Sequence, residues 1–262
     1  MIEPLLLTAV PVTTFDGATR LTNASGFFFE RDERLYLVTS RHVVIDLPNN
    51  HTPTRVEIEF HTDPDNLAES STLSVPLYNG DTPLWIQGVD AGGEVDVAAL
   101  QIDRAQLADG LPLCVFTPGH LQSALSDIEV GTSVLVVGFP LGFRDTLHHL
   151  PVARRAGIAS AFGLRFQGLG YFLTDGRTHR GISGAPVVMR RRDDGSRLPW
   201  ALLGVHSARL DSGTRDEQVD ESLGLNCAWY ADIVMTLTDL PGVPAEPAAP
   251  AAKPPTEGQR SA

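Results

Sequence analysis

Leu37-Val38-Thr39-Ser40-Arg41-His42, Val95-Asp96-Val97-Ala98-Ala99-Leu100 and Arg180-Gly181-Ile182-Ser183-Gly184-Ala185-Pro186 occur in this order along the chain. Each segment holds one chemically capable side chain beside an apolar run of strand type, so each side chain can be fixed at the edge of a β-barrel. A serine hydroxyl is a poor nucleophile near neutral pH. A neighbouring imidazole has to accept its proton, and a third group has to fix the imidazole tautomer. His42, Asp96 and Ser183 supply these groups. Their spacing places His42 and Asp96 in a first barrel and Ser183 in a second, with a site in the cleft between them. Singly, each segment is an ordinary feature: a histidine after a strand, an aspartate opening one, a tight glycine turn. Their order within an all-β chain gives them their meaning.

The surrounding composition agrees. The chain has 262 residues, 42% of them hydrophobic, with 24 glycines and 19 prolines. Many short Val/Leu/Ile-rich runs alternate with turn residues, which favours strands over helices. The runs fall at Leu5–Val12, Gly26–Phe29, Leu35–Thr39, Arg55–Phe60, Thr72–Leu77 and Val97–Ile102, then at Ser133–Gly138, Pro151–Ala159, Tyr171–Leu173, Pro186–Met189, Trp200–Ser207 and Leu223–Trp229. The expected organisation is an N-terminal barrel over 1–110, a linker over 111–128, and a C-terminal barrel over 129–240 that ends in a short helix within Tyr230–Asp239. A disordered Pro/Ala-rich tail is expected over 241–262.

Net charge is −12 and unevenly placed. Residues 1–103 hold 5 arginines against 16 acids, and residues 129–215 hold 12 arginines against 6 acids. Two readings stand: solvated faces that attract each other across the cleft, or a basic half that favours acidic peptide segments. Overall acidity argues against nucleic acid as a partner. No apolar stretch is long enough to span a membrane. The first residues lack the basic region of a secretory signal, and two cysteines, Cys114 and Cys227, are too few for a disulfide framework. A cytoplasmic protein with buried free thiols is expected. His148-His149 and His179 invite a metal, but adjacent side chains point apart. The chemistry needs no cofactor.

The order His, Asp, Ser distinguishes the chymotrypsin arrangement from other arrangements of the same chemistry. On these motifs the chain resembles the trypsin-like, chymotrypsin-fold serine peptidases, specifically the single-domain bacterial kind, over roughly residues 5 to 238. The resemblance implies two six-stranded antiparallel β-barrels and peptide-bond hydrolysis through an acyl-enzyme. It also implies an oxyanion hole from the N–H groups of Gly181 and Ser183. Ser40 and Arg41 depart from the residues usual before this histidine. Ile182 stands where digestive relatives carry an aspartate that pairs with a newly cut N-terminus, so that mode of activation is not expected.

The primary pocket implied by the resemblance is lined by Arg177, Thr178, His206 and Ser207. The Thr178/His206 pair resembles the pocket of bacterial glutamyl endopeptidases and picornavirus-type processing proteases, which would give a preference for Glu or Gln at P1. Equally, His206 is a strand residue hydrogen-bonded inside the barrel and Arg177 sets another acidic preference. Ser207 hydrogen-bonds near Asp96 or to substrate backbone. The expected partner is a polypeptide substrate. The alternative is a latent or inactive protease-like module that binds peptides under the control of a regulatory partner protein.

Overall fold

The computed structural model of the chain describes residues 2–107, 110–122, 127–191, 195–211 and 222–239. The tail expected to be disordered over 241–262 lies outside the described residues. Nine strands form in the first half: β1 (Ala9–Asp16), β2 (Thr19–Arg31), β3 (Arg34–Thr39), β4 (Arg55–His61), β5 (Ser70–Pro76), β6 (Tyr78–Asn79), β7 (Thr82–Pro83), β8 (Trp85–Asp90) and β9 (Gly93–Ile102). Six follow in the second: β10 (Ser133–Gly138), β11 (Val152–Gly157), β12 (Tyr171–Thr174), β13 (Pro186–Arg190), β14 (Trp200–Asp211) and β15 (Ser222–Tyr230). Among the described residues two short α-helices complete the set, α1 (Arg41–Val44) and α2 (Ile233–Leu237).

The first sheet runs β5-β4-β1-β2-β3-β9-β8 and the second β11-β10-β13-β14-β15-β12, with antiparallel neighbours throughout. The second sheet closes on itself through an Ile158–Thr174 bridge and an Ala159 N–H to Leu173 carbonyl bond of 2.8 Å. The first sheet has seven strands where the apolar runs gave six. The additional strand is β8, whose sequence Trp85-Ile86-Gln87-Gly88-Val89-Asp90 has a polar and a glycine residue at its centre and no clean apolar alternation. The short β6–β7 pair turns at Gly80.

Period-2 patterning accounts for β4, between β5 and β1, where Val56, Ile58 and Phe60 point inward and Arg55, Glu57, Glu59 and His61 are half-exposed. The central strands bury both faces. Phe28 lies in the core of the first sheet, whereas Phe27 and Phe29 face an apolar layer shared with the second. In β9, Ala98 and Leu100 point into the first core and Val97 and Ala99 into the shared layer. This two-sided burial produces the continuous apolar runs in the sequence. Each large side chain so buried contributes roughly 1.5–3 kcal/mol. Val234 and Leu237 of α2 cap the shared layer.

The connecting segment joins both sheets. Phe116 exchanges backbone bonds with Phe28 and Glu30, and Leu121 bridges to Leu202. Opposite charges also meet across the halves: Arg144 pairs with Glu59, and Arg165 with Asp90 at 2.7 Å. Part of the charge asymmetry is therefore used in holding the two sheets together. Cys114 and Cys227 are buried and unbridged. No helix among the described residues is long and apolar enough to cross a membrane.

Candidate active site

β3 ends at Thr39, and the chain turns at Ser40 into α1, which carries His42. Asp96 sits near the start of β9, the strand paired with β3. Neighbouring strands thus bring together residues 54 apart in sequence. Asp96 Oδ1 accepts the backbone N–H of His42 at 2.8 Å, and Asp96 Oδ2 accepts the imidazole Nδ1–H at 2.7 Å. The two bonds fix both the ring orientation and the tautomer, and leave Nε2 for the cleft. The hydroxyl of Ser207, within β14, also donates to Asp96 Oδ2.

Burial works against the charged forms of both residues, but their pairing prevails. His42 is held above the ordinary histidine value of 6.5: burial lowers it and Arg41 opposes charging, while the hydrogen bond and charge of Asp96, helped by Asp46, outweigh them. In Asp96 burial pushes the carboxyl up, yet His42 and Ser207 hold it below the usual carboxylate value.

Ser183 lies in the turn before β13. Its Oγ donates to the Ser207 carbonyl at 3.0 Å, and among the described residues no hydrogen bond joins it to His42. Ser207 therefore touches both Asp96, through its hydroxyl, and Ser183, through its carbonyl. The turn itself requires glycine twice. Gly181 has φ +89°, and a Cβ there would stand 2.8 Å from the Phe139 carbonyl oxygen and 2.9 Å from Leu141 N. Gly184 has φ +86°, and a Cβ there would collide with the Ser25 carbonyl and Thr39 Oγ1.

The turn is held largely by the other sheet. Ser25 of β2, fully buried, donates its backbone N–H to the Ser183 carbonyl at 2.9 Å and its hydroxyl to the Gly181 carbonyl at 2.8 Å. The same hydroxyl accepts the Phe139 N–H at 3.0 Å. Thr39 Oγ1 donates to the Ser25 carbonyl, and Ser40 Oγ to the His206 carbonyl. On the other side, Leu141 N–H donates to the Arg180 carbonyl at 2.6 Å. A trans peptide points its carbonyl and N–H in opposite directions, so tying back the Arg180 carbonyl aims the Gly181 N–H away from Leu141. Among the described residues neither that N–H nor the N–H of Ser183 has an acceptor. Two unoccupied donors beside a serine can stabilise charge on an adjacent oxygen.

Of the four pocket residues, Thr178 and His206 are 4% and 1% exposed, Ser207 is buried, and Arg177 is exposed. Thr178 Oγ1 donates to Asn226 Oδ1, and Asn226 Nδ2 donates to the Thr174 and Gly176 carbonyls. His206 lies opposite Ala228, on the face of β15 that also carries Asn226. Its Nδ1 is buried without a partner. Burial, with the nearby charge of His42, lowers its pKa to about 4, so the ring is neutral at physiological pH.

Sequence reasoning missed Ser25 and Asn226. Ser25 is a small polar residue inside the run Ala24-Ser25-Gly26-Phe27. Its position between apolar neighbours in a two-sided buried strand was the one available signal, because a buried hydroxyl needs partners.

The trypsin-like peptidase domain model matches residues 24–194. Serine protease HTRA2, mitochondrial, of Drosophila virilis is 24% identical over 193 residues, which cover 73% of this chain and 36% of that protein. The chain thus spans about a third of that relative's length. Among solved structures, a serine endoprotease from Yersinia pestis aligns with TM-score 0.53 at 16% identity, over 90% of this chain and 65% of the other. A scabies mite inactivated protease paralogue aligns with TM-score 0.54 at 18% identity, over 90% and 97%. At these identities the structures speak for the fold. Sheet order and family match agree, and the chain belongs to the trypsin-like peptidase family of serine hydrolases.

Proposed function

We propose that the chain is a serine endopeptidase in which Ser183 is the nucleophile, His42 the general base and Asp96 the group that orients His42. The observation that carries this reading is the hydrogen-bonded connection of all three: Asp96 bonds His42 twice and Ser207 once, and Ser207 accepts from Ser183. A rotation about χ1 of Ser183, between staggered wells, exchanges the Ser207 carbonyl for His42 Nε2 as acceptor. Oγ then attacks the scissile carbonyl carbon while its proton passes to Nε2. The oxygen that becomes negative is received by the N–H groups of Gly181 and Ser183, each worth roughly 10²- to 10³-fold in rate. Collapse expels the amine, protonated by His42. Water hydrolyses the acyl-enzyme by the same proton route.

A preference for Glu or Gln at P1 is supported by the buried pocket wall. Thr178 gives its proton to Asn226 and keeps lone pairs for an amide N–H, and His206 has a ring nitrogen without a partner. Arg177, exposed beside Thr178, adds positive charge at the rim. The division into 1–110, 111–128 and 129–240 is supported by the first sheet ending at Ile102 and the second beginning at Ser133. Two free buried thiols support a reducing, cytoplasmic setting and a polypeptide substrate met there.

A P1-varied fluorogenic peptide library tests the function. Turnover that is lost in Ser183→Ala and is greatest for P1 Gln or Glu is the expected result. Turnover that persists in Ser183→Ala removes the nucleophile assignment, and equal turnover at every P1 removes the pocket assignment. One observation favours a second reading, a latent module controlled by a regulatory partner: the Ser183 hydroxyl is bonded to Ser207 rather than to His42. Peptide binding by folded protein without turnover would select it.

A further inference from the structure

The second sheet carries a group of bases outside the cleft chemistry. Arg154 of β11 donates through Nη1 to the Arg177 carbonyl at 2.9 Å. His179 lies close to Arg154, Arg177 and Arg209, and burial together with these charges pushes its pKa below the usual histidine value. Among the described residues neither Arg154 nor Arg177 has an acid within ion-pair distance. Arg154 Nε and His179 Nδ1 are both buried and lack any hydrogen-bond partner. Buried polar nitrogens are nearly always paired in folded proteins, so two orphans on neighbouring side chains, beside the charges of Arg154 and Arg177, point to an absent anionic acceptor.

Arg154 and His179 form one side of a groove of about 410 Å³, whose remaining wall includes Leu141, Phe143 and Val152. Leu141 and Phe143 are 68% and 67% exposed. Thr178 turns inward to Asn226, whereas Arg177 and His179 on either side of it turn outward. The groove and the Thr178 pocket therefore lie on opposite faces of one segment. One wall of the groove also supports the Gly181 turn, since Leu141 N–H holds the Arg180 carbonyl.

We propose that this groove docks an acidic, apolar peptide segment of a second protein, with a carboxylate between Arg154 and His179 and a hydrophobic side chain on Leu141 and Phe143. Its occupation strengthens the presentation of the Gly181 N–H. A carboxylate supplies the acceptor that both nitrogens lack and matches the charge of Arg154. A segment lying across the groove bridges the loop that carries Leu141 and the segment that carries Arg180, so it binds best when these are joined and shifts the population toward that state. The coupling rests on the reading of Ser183 as nucleophile; the docking does not.

The test uses the full chain and a dye-labelled hexapeptide of alternating leucine and glutamate, followed by fluorescence anisotropy. Saturable binding is expected, equal in Ser183→Ala and at least tenfold weaker in Arg154→Gln, in Phe143→Ser and for the peptide with glutamine in place of glutamate. Phe143 is exposed, so its replacement does not put folding at risk. The unlabelled peptide should raise kcat on a short fluorogenic substrate with KM unchanged. Absent binding, or binding indifferent to both substitutions, overturns the docking site. A rise in KM alone overturns it as well, because the peptide then occupies the substrate cleft. Binding without any hydrolysis upholds the docking and removes the Ser183 reading instead.

Discussion

His42 and Asp96 are locked to each other within one sheet, whereas Ser183 sits in a turn held by the opposite sheet. The first pair uses adjacent strands and two direct hydrogen bonds. The Ser183 turn depends on Ser25, 158 positions earlier, on the close approach of Gly184 to the Ser25 carbonyl, and on Leu141 behind it. The proposed base and its orienting acid should thus remain assembled under perturbations that displace the Ser183 turn. Reactivity should then be lost through the turn before the His42–Asp96 geometry changes.

The contrast can be broken most sharply from the side of the rigid pair. Asp96→Asn should lower kcat by about 10⁴-fold, measured on a fluorogenic peptide, with little change in fold by circular dichroism. An effect under tenfold would mean that Asp96 does not orient the base. The same variant reports on the pH dependence. In the proposed mechanism neutral His42 is the active form, so wild-type kcat/KM should rise with pH through a value above 6.5, where the hydrogen bond and charge of Asp96 place it. In Asp96→Asn that support is gone and burial remains, so the inflection should move down. An unmoved inflection would assign the profile to another group.

The turn offers a smaller but more discriminating effect. Ser25→Ala removes the hydroxyl bonds to the Gly181 carbonyl and the Phe139 N–H without touching His42. A displacement of the turn by about 1 Å can cost on the order of 10²-fold. The loss should fall on kcat, with the His42 inflection unchanged, and Ser25→Thr should recover less than half of it because the added methyl has no room in a fully buried site. A loss confined to KM would show that Ser25 does not act through the turn.

The smallest effect concerns the joint between the halves. Glu59 of β4 accepts from Arg144 and Ser70, and its Oε1 lies 2.7 Å from His149 Nδ1. Glu59→Gln should lower stability by about 1 kcal/mol, measured by urea unfolding, because the pair is only partly shielded from water. A change beyond about 3 kcal/mol would mean that the two sheets are less independently stable than their separate cores indicate.

The same local and long-range division decided what could be read from the sequence. His42 after an apolar strand, Asp96 opening another, and two glycines around Ser183 are local patterns whose backbone demands are visible in a few residues. Strand β8 was missed because Gln87 and Gly88 interrupt its alternation, and its place beside β9 comes from pairing rather than from its own residues. Ser25 and Asn226 are single polar residues whose meaning lies entirely in distant partners. Thr178 and His206 stand out in the sequence as candidate pocket residues, whereas the commitment of the Thr178 proton to Asn226 required the fold.

The most direct measurement is labelling of the folded chain with a fluorophosphonate probe, comparing wild type with Ser183→Ala and His42→Ala. The account predicts one covalent adduct on wild type, none on Ser183→Ala, and labelling slowed by several orders of magnitude on His42→Ala. Labelling that survives in Ser183→Ala, or that is as fast without His42, would contradict an activated serine assembled across the two sheets.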